Sequence, residues 1–305
     1  MVGHRRQAGK PARYFCPRTL HARPCAVEPK EMGVAVSPLR CPLCHVPLAV
    51  HERGARCSGG HSFDRARTGY LNLLPVQHKH SRHPGDDPAM VDARSEFLAS
   101  GAYAPLRDAL TGLLARLKPA QLLDCGCGEG WYTVSLSSVA ASTTALDISK
   151  AAIGRAARRA SAITWLVASS ADLPLLDGSV DAITAIFSPV RAAEAARVLR
   201  PDGRLFVVAP DQHHLQELRA ALYDDVRLHR PLKWLDDVAP WFHLRSSHRL
   251  RFGIHLPSNR AVQALLAMTP YVWRTARARW ERVATLPHLS VQADFRIFHF
   301  QRSAP

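Results

Sequence analysis

The chain has 305 residues, 47% of them hydrophobic, with 40 Lys and Arg against 25 Asp and Glu and a net charge of +15. That size suggests about two domains; the apolar content excludes chain-wide disorder, no run of about 18 apolar residues exists to span a membrane, and the first residues lack the apolar stretch of a secretory signal. Seven unevenly spaced cysteines exclude a paired disulfide scaffold and favour a reducing, cytoplasmic setting, while the positive charge favours an anionic partner, nucleic acid first.

Residues 1–36 are rich in Arg, Pro and Ala without a period. They are expected to form an extension with no fold of its own, with Met32 as an alternative start. From Cys41 the texture changes. Residues 37–76 hold three cysteines, turn glycines at Gly54 and Gly59-Gly60, and few aliphatic side chains. Such a segment is too small to bury a core on apolar area alone. The spacing Cys41-x2-Cys44-x12-Cys57-x3-His61 predicts a structural zinc site, because each tight turn offers two ligands to a tetrahedral ion. Four protein ligands leave no open position for catalysis, and ligation supplies the folding energy that the core lacks.

A polar, basic connector is predicted over 77–95. Lys79 and Arg82 within it are expected to contact nucleic-acid phosphates, contributing affinity more than sequence choice. The zinc module, the connector and the mouth of the following domain are expected to line one basic cleft. Phe97, Leu98, Tyr103, Leu106, Leu110, Leu113, Leu114 and Leu117 recur mostly three or four apart. This predicts one or two amphipathic helices, broken near Gly101.

Strands then alternate with helices. Strands are predicted at Gln121–Cys125, Thr143–Asp147, Ile163–Ala168, Val180–Phe187 and Leu205–Ala209. Helices are predicted from about Gly130, over Lys150–Ala160 and over Arg191–Leu199, the last ended by Pro201-Asp202-Gly203. The pattern is that of an α/β domain with a parallel, doubly wound sheet over residues 96–305. Arg249–Leu256 and Val291–Gln301 read as an antiparallel pair at one sheet edge. Helical stretches near Ala261–Met268 and Ala276–Thr285 lie between them.

Asp124-Cys125-Gly126-Cys127-Gly128-Glu129-Gly130 follows a strand and opens a helix, so its glycines let the backbone approach a ligand. A dinucleotide would need G-x-G-x-x-G/A. Counted from Gly126, the sixth residue is Trp131, too large for close helix–strand packing. The D-x-G-x-G-x-G form instead resembles motif I of the class I S-adenosylmethionine-dependent methyltransferases. That resemblance gives Asp124 the amino-acid end of the cofactor. Asp147, ending the second strand, suits the ribose hydroxyls by the logic of dinucleotide folds. Where many class I enzymes carry an acid for adenine, this chain has Ser169, and Ser169, Asp172 or backbone are the candidates for that contact. Cys125 and Cys127 read as small buried residues.

Taken with the zinc spacing, Gly69-Tyr70-Leu71-Asn72-Leu73-Leu74-Pro75-Val76-Gln77-His78-Lys79, Ser81-Arg82-His83-Pro84-Gly85-Asp86 and Met268-Thr269-Pro270 resemble the RlmA-type bacterial 23S rRNA (guanine-N1)-methyltransferases. The resemblance runs from about Cys41 to Arg302. It implies a class I (Rossmann-like) domain behind a zinc module, an enzyme that uses S-adenosylmethionine, and a guanine in a 23S rRNA hairpin loop as the target. Residue by residue it implies Cys41, Cys44, Cys57 and His61 as zinc ligands. Tyr103, Gly126, Gly128, Glu129, Gly130 and His214 become cofactor contacts beside Asp124, Asp147 and Ser169. Two subtypes methylate neighbouring guanines, and residues 73–79 look more like the Gram-negative one. The resemblance leaves a homodimer open.

Methylating N1 of guanine requires that its proton be removed and that the base be held in line. Phe187, Tyr271 and Trp273 are candidate stackers, and Ser188-Pro189 sits where class I enzymes line the target pocket. Asp86 and Asp294 are the candidate bases. The rival readings are a small-molecule methyltransferase and a non-catalytic, zinc-dependent RNA-binding protein.

Overall fold

The computed structural model describes residues 37–78, 85–226, 235–269, 271 and 276–303. In chain order its strands are β1 (Leu48–His51), β2 (Gly54–Cys57), β3 (Ser62–Asp64), β4 (Leu71–Asn72), β5 (Gln121–Cys125), β6 (Ser142–Asp147), β7 (Thr164–Val167), β8 (Val180–Ile186), β9 (Leu199–Pro210), β10 (Phe242–Leu256) and β11 (Leu289–Arg302). Its helices are α1 (Pro88–Ala99), α2 (Ala104–Leu117), α3 (Trp131–Ser137), α4 (Lys150–Ala156), α5 (Ala192–Val198), α6 (Gln216–Leu222), α7 (Leu235–Val238), α8 (Asn259–Met268) and α9 (Arg277–Ala284). Among the described residues no helix is long and apolar enough to cross a membrane.

Strands β1-β2-β3 form a small antiparallel sheet, and the other eight form one sheet in the order β10-β11-β9-β8-β5-β6-β7-β4. From β4 to β9 the pairing is parallel. β11 then runs antiparallel to β9, and β10 antiparallel to β11. The central strands β5 and β8 are buried along nearly their whole length, as strands covered on both faces must be. The α/β architecture and the antiparallel edge pair agree with the sequence.

The domain edges differ from expectation. α1 begins at Pro88, well inside the predicted connector, because Asp87 accepts the Met90 N–H at 2.9 Å and proline fits the first turn. The predicted zinc segment also supplies β4 to the main sheet. Leu71 pairs with Leu166, and the Leu73 N–H donates to Val167 O at 2.9 Å. Leu39, Cys41, Leu48, Ala55, Cys57, Leu71 and Leu73 share one apolar cluster with Leu123, Leu146, Leu166 and Leu205. A segment too small for its own core thus borrows the large one.

Polar groups fasten the same seam. Arg40 is buried; its Nε donates to Leu173 O at 3.1 Å and its Nη2 to Asp172 Oδ1 at 2.5 Å. Pro38 O accepts the Leu176 N–H, and Pro174 O accepts the Arg40 N–H. Replacing Arg40 with Ala should lower stability to urea by about 1–3 kcal/mol. Arg40→Lys should recover little of that, since an ammonium lacks the fork that reaches Asp172 and Leu173 together. An unchanged urea midpoint for Arg40→Ala would leave the seam to apolar packing alone.

Candidate functional site

Cys41, Cys44, Cys57 and His61 converge, with one ligand atom from each lying within 4.8 Å of all the others. The Cys44 and Cys57 sulfurs are 3.6 Å apart, and His61 Nδ1 is 3.6 Å from Cys41 Sγ and 3.5 Å from Cys57 Sγ. A tetrahedral zinc with bonds of about 2.0–2.3 Å has edges of roughly 3.3–3.8 Å, so the donor set fits that ion. Both turns are built for the purpose. His45 adopts φ +63° and its N–H donates to Cys41 O, folding the first pair of ligands together. Across the site, a Cβ on Gly59 would stand 3.3 Å from Cys44 Sγ, a tight contact that glycine avoids as the turn closes over the cluster.

A cleft of about 1210 Å³ opens at the carboxyl ends of the parallel strands, the expected place for a ligand in such a sheet. Gly126, Cys127, Gly128 and Glu129 form one wall. The Gly126 and Cys127 N–H groups both donate to Leu146 O, at 2.8 and 2.9 Å. Asp147 accepts the Gly128 N–H at 2.9 Å on one oxygen and the Ser149 N–H at 2.8 Å on the other. The turn is thereby pinned to the end of β6. A Cβ on Gly128, where φ is +57°, would meet only the Arg94 guanidinium at 3.9 Å. The cradle is open toward the cleft.

Three carboxylates line this side. Burial pushes Asp124 up to about 6, against hydroxyl donation from Thr133 at 2.6 Å and Thr184 at 2.8 Å. Burial also raises Asp147, against its two backbone donors. Glu129 is raised by burial in spite of its ion pair with Arg159, and its Oε1 is buried without a partner. Three burdened carboxylates around an open glycine turn favour a ligand carrying positive charge. S-adenosylmethionine, with a sulfonium and an ammonium, fits that requirement.

The opposite wall is aromatic. Tyr103 lies edge-on to Phe97 and Phe295, with ring centroids 4.9 and 5.0 Å away. Its hydroxyl is 3.5 Å from His214 Nε2. His214 Nδ1 accepts the Asp294 N–H at 3.3 Å, so the neutral ring carries its proton on Nε2 and the Tyr103 hydroxyl accepts it. Phe187 is exposed and holds φ +56°, a conformation that non-glycine residues adopt chiefly where the surroundings impose it. Its ring stands 5.3 Å from that of Phe295. Tyr271 and Ser188-Pro189 line the cleft beside it.

Most predicted residues therefore meet: Tyr103, Asp124, Gly126, Gly128, Glu129, Asp147 and His214 all face one cleft. Gly130 caps α3 just behind the turn. Others do not join them. Ser169 is not among the lining residues; its hydroxyl accepts the Ala171 N–H at 3.1 Å. Asp172 is taken by Arg40. Asp294 is fully buried away from the cleft, with both oxygens held by Arg249 at 2.8–2.9 Å. Burial alone would raise it, but Arg249 and the His213 N–H outweigh that and hold it below the ordinary range. The structure does not bring it to the cleft. Asp86 does line the cleft, ion-paired with Arg94. No described residue of 37–78 lines this cleft. Lys79, Arg82 and Trp273 lie outside the described residues. Arg94 was missed by the sequence reading because only the apolar stripe of α1 was followed. Thr184 had a signal, a lone hydroxyl inside the apolar run of β8.

Residues 39–82 match the family described as RlmA, N-terminal, and residues 123–207 match a methyltransferase domain. The chain is 38% identical over 258 residues to the 23S rRNA (guanine(748)-N(1))-methyltransferase of Streptomyces fradiae, covering 82% of this chain and 91% of that protein. A Micromonospora griseorubida protein named for guanine-N1 methylation of 23S rRNA is 36% identical, covering 86% and 97%. A Bacillus subtilis protein named for the same reaction is 32% identical, covering 87% and 97%.

Purified protein should carry about one zinc per chain, and Cys57→Ser should lose it and expose residues 37–78 to protease. A metal-free protein in which those residues stay protected would end the zinc assignment.

Proposed function

This chain belongs to the family of 23S rRNA (guanine-N1)-methyltransferases, and on that premise we propose that it methylates N1 of a guanine in a 23S rRNA hairpin loop, with S-adenosylmethionine as donor. The observation that carries this is the open Gly128 cradle ringed by Asp124, Glu129 and Asp147. We take the target to be the guanine for which the Streptomyces fradiae relative is named, position 748. Similarity over 82% of the chain outweighs the seven residues 73–79 that resemble the other subtype.

In this reading Glu129 Oε1 and Asp124 receive the cofactor's ammonium, and Asp147 receives its ribose hydroxyls. Tyr103 and His214 close the cofactor's methionine end. When bound, the cofactor supplies an electrophilic methyl on sulfur, a reaction that leaves a neutral thioether. The protein's own work is to place a base against it. A loop guanine must be splayed from its neighbours to enter a cleft, and an exposed aromatic at the rim can stack on it. Phe187 is that aromatic, with Tyr271 beside it. The N1 proton would have to leave to a nearby acceptor, and of the two predicted acceptors only Asp86 faces the cleft. Lys79 and Arg82 extend the interface to the RNA backbone.

Three measurements test the reading. Gly128→Val should abolish cofactor binding in calorimetry, since a β-branched side chain fills the cradle and is strained at φ +57°. Asp147→Ala should weaken binding roughly tenfold, as loss of a charge-assisted contact predicts. Wild-type affinity in both variants would refute the site.

Affinity for the cofactor should also follow the ionisation of Asp124. A cationic ligand end is held by the carboxylate, so binding should be constant above neutrality and fall as pH drops through about 6. A pH-independent affinity from 5 to 8 would remove Asp124 from the contact.

Mass mapping of 23S rRNA from a deletion strain should show loss of a single methylguanine at position 748. Phe187→Ala should reduce that methylation while leaving cofactor binding intact. Intact methylation in the deletion strain would overturn the proposed function.

A further inference from the structure

We propose that arginines on the sheet edge beside the cleft, centred on Arg251 and Arg191, form the docking rim for the phosphate backbone of the substrate RNA; this rests on the rRNA reading above. The register across the sheet sets the rim. Ala209, on β9, lines the cleft and pairs with Arg296 of β11, which pairs with Arg249 of β10. Directly paired residues share a face, and neighbouring strands lie about 4.8 Å apart. Arg296 and Arg249 therefore step outward from the cleft wall on one face. Arg251, two residues along β10 and opposite Asp294, continues that face. From the other side of the mouth, Arg191 lines the cleft itself at the start of α5.

The charges on this rim are not neutralised at the surface. Arg249 and Arg296 are ion-paired, but to Asp294 and Asp211, which are 0% and 1% exposed. Asp294 shares the arginines' face, and both carboxylates are buried under the guanidinium groups that they pair with. Arg191 and Arg251 are exposed, and neither makes a hydrogen bond or a close ion pair through its side chain among the described residues; Arg251 does stand across the ladder from Asp294 and helps hold that carboxyl low. The exposed acid that shares the cleft lining, Asp237, is on α7. β10 is the outer strand of the sheet, fifteen residues long and largely exposed. Charges on an edge strand also deter strand-to-strand pairing. That role does not require exposed guanidinium groups on both sides of a cleft mouth. A polyanion straddling the mouth does.

The test is a salt titration of binding to a synthetic RNA hairpin carrying the target loop, for wild type, Arg191→Ala, Arg251→Ala and the double variant. Arg116→Ala, an exposed arginine at the end of α2, removes the same charge elsewhere. Each rim variant should weaken binding several-fold, and the double variant should lower the slope of log affinity against log salt by roughly 1.4–1.8, the release of two phosphate contacts. Arg251→Ala should leave zinc content and calorimetric affinity for S-adenosylhomocysteine unchanged, which excludes misfolding. A double variant with the wild-type slope, or an equal loss in Arg116→Ala, would overturn the rim. If wild-type protein shows no salt-dependent hairpin affinity and the deletion strain keeps its methylguanine, the rRNA reading itself falls and the rim with it. Normal methylation by wild type, with variants that bind as wild type does, sinks the rim alone.

Discussion

Gly126 and Ser188 touch where the two halves of the cleft meet. A Cβ at position 126 would collide with the Ser188 hydroxyl, so the turn after β5 and the loop after β8 approach as closely as two backbones with one small side chain allow. In the proposed reading the first loop belongs to the cofactor side and the second to the target side. Methyl transfer needs the two reactants in line at near contact distance, and that separation is set here before either ligand arrives. Further contacts hold both sides rigid. Leu146 O takes two N–H groups of the turn, and the Phe187 N–H donates to Val208 O at 3.0 Å, anchoring the strained residue that precedes Ser188.

The loop carrying His214 is fixed with similar redundancy. The Asp211 N–H donates to Asp294 O, and the Leu215 N–H to Gln292 O, both at 2.8 Å. Arg219, buried under the loop, donates to His214 O at 3.0 Å and Gln212 O at 3.1 Å. Leu215 takes φ +50° as the chain turns into α6. These contacts join β9, β11 and α6, so the imidazole is positioned by the antiparallel edge of the sheet and not by its parallel centre. The two added strands thus do more than extend the sheet.

What the sequence disclosed follows from how local each feature is. The zinc ligands and the glycine turn are written within about twenty residues each, in patterns whose geometry is nearly independent of the rest of the chain. Tyr103 and His214 lie 111 residues apart, and only the family resemblance joined them. Asp294 is engaged by Arg249 through strand pairing between β10 and β11, which no spacing reveals. Asp172 is likewise engaged, its partner Arg40 being 132 residues away. That the segment 37–76 gives a strand to the main sheet was not legible, because composition marks where polar residues lie, whereas β4 is defined by a neighbour, β7, contributed by residues 164–167.

Buried carboxylates do two opposite things in this molecule, and the difference lies in what faces them. Asp211 and Asp294 are each matched by guanidinium groups that remain partly in water, so burial of the acid is compensated and the arginines are aimed outward. Asp124, Asp147 and Glu129 are matched mainly by neutral donors or by a single arginine, and all three are pushed up by burial. An uncompensated buried acid is a standing cost. On the first set the cost has been removed within the fold, and the exposed product is positive charge at the rim. On the second it is left to a cationic ligand, whose binding strengthens as it relieves the strain. In the proposed reading a polyanion and a cation meet different groups of the same cleft mouth, the first the exposed guanidinium groups of its rim and the second the buried carboxylates of its wall.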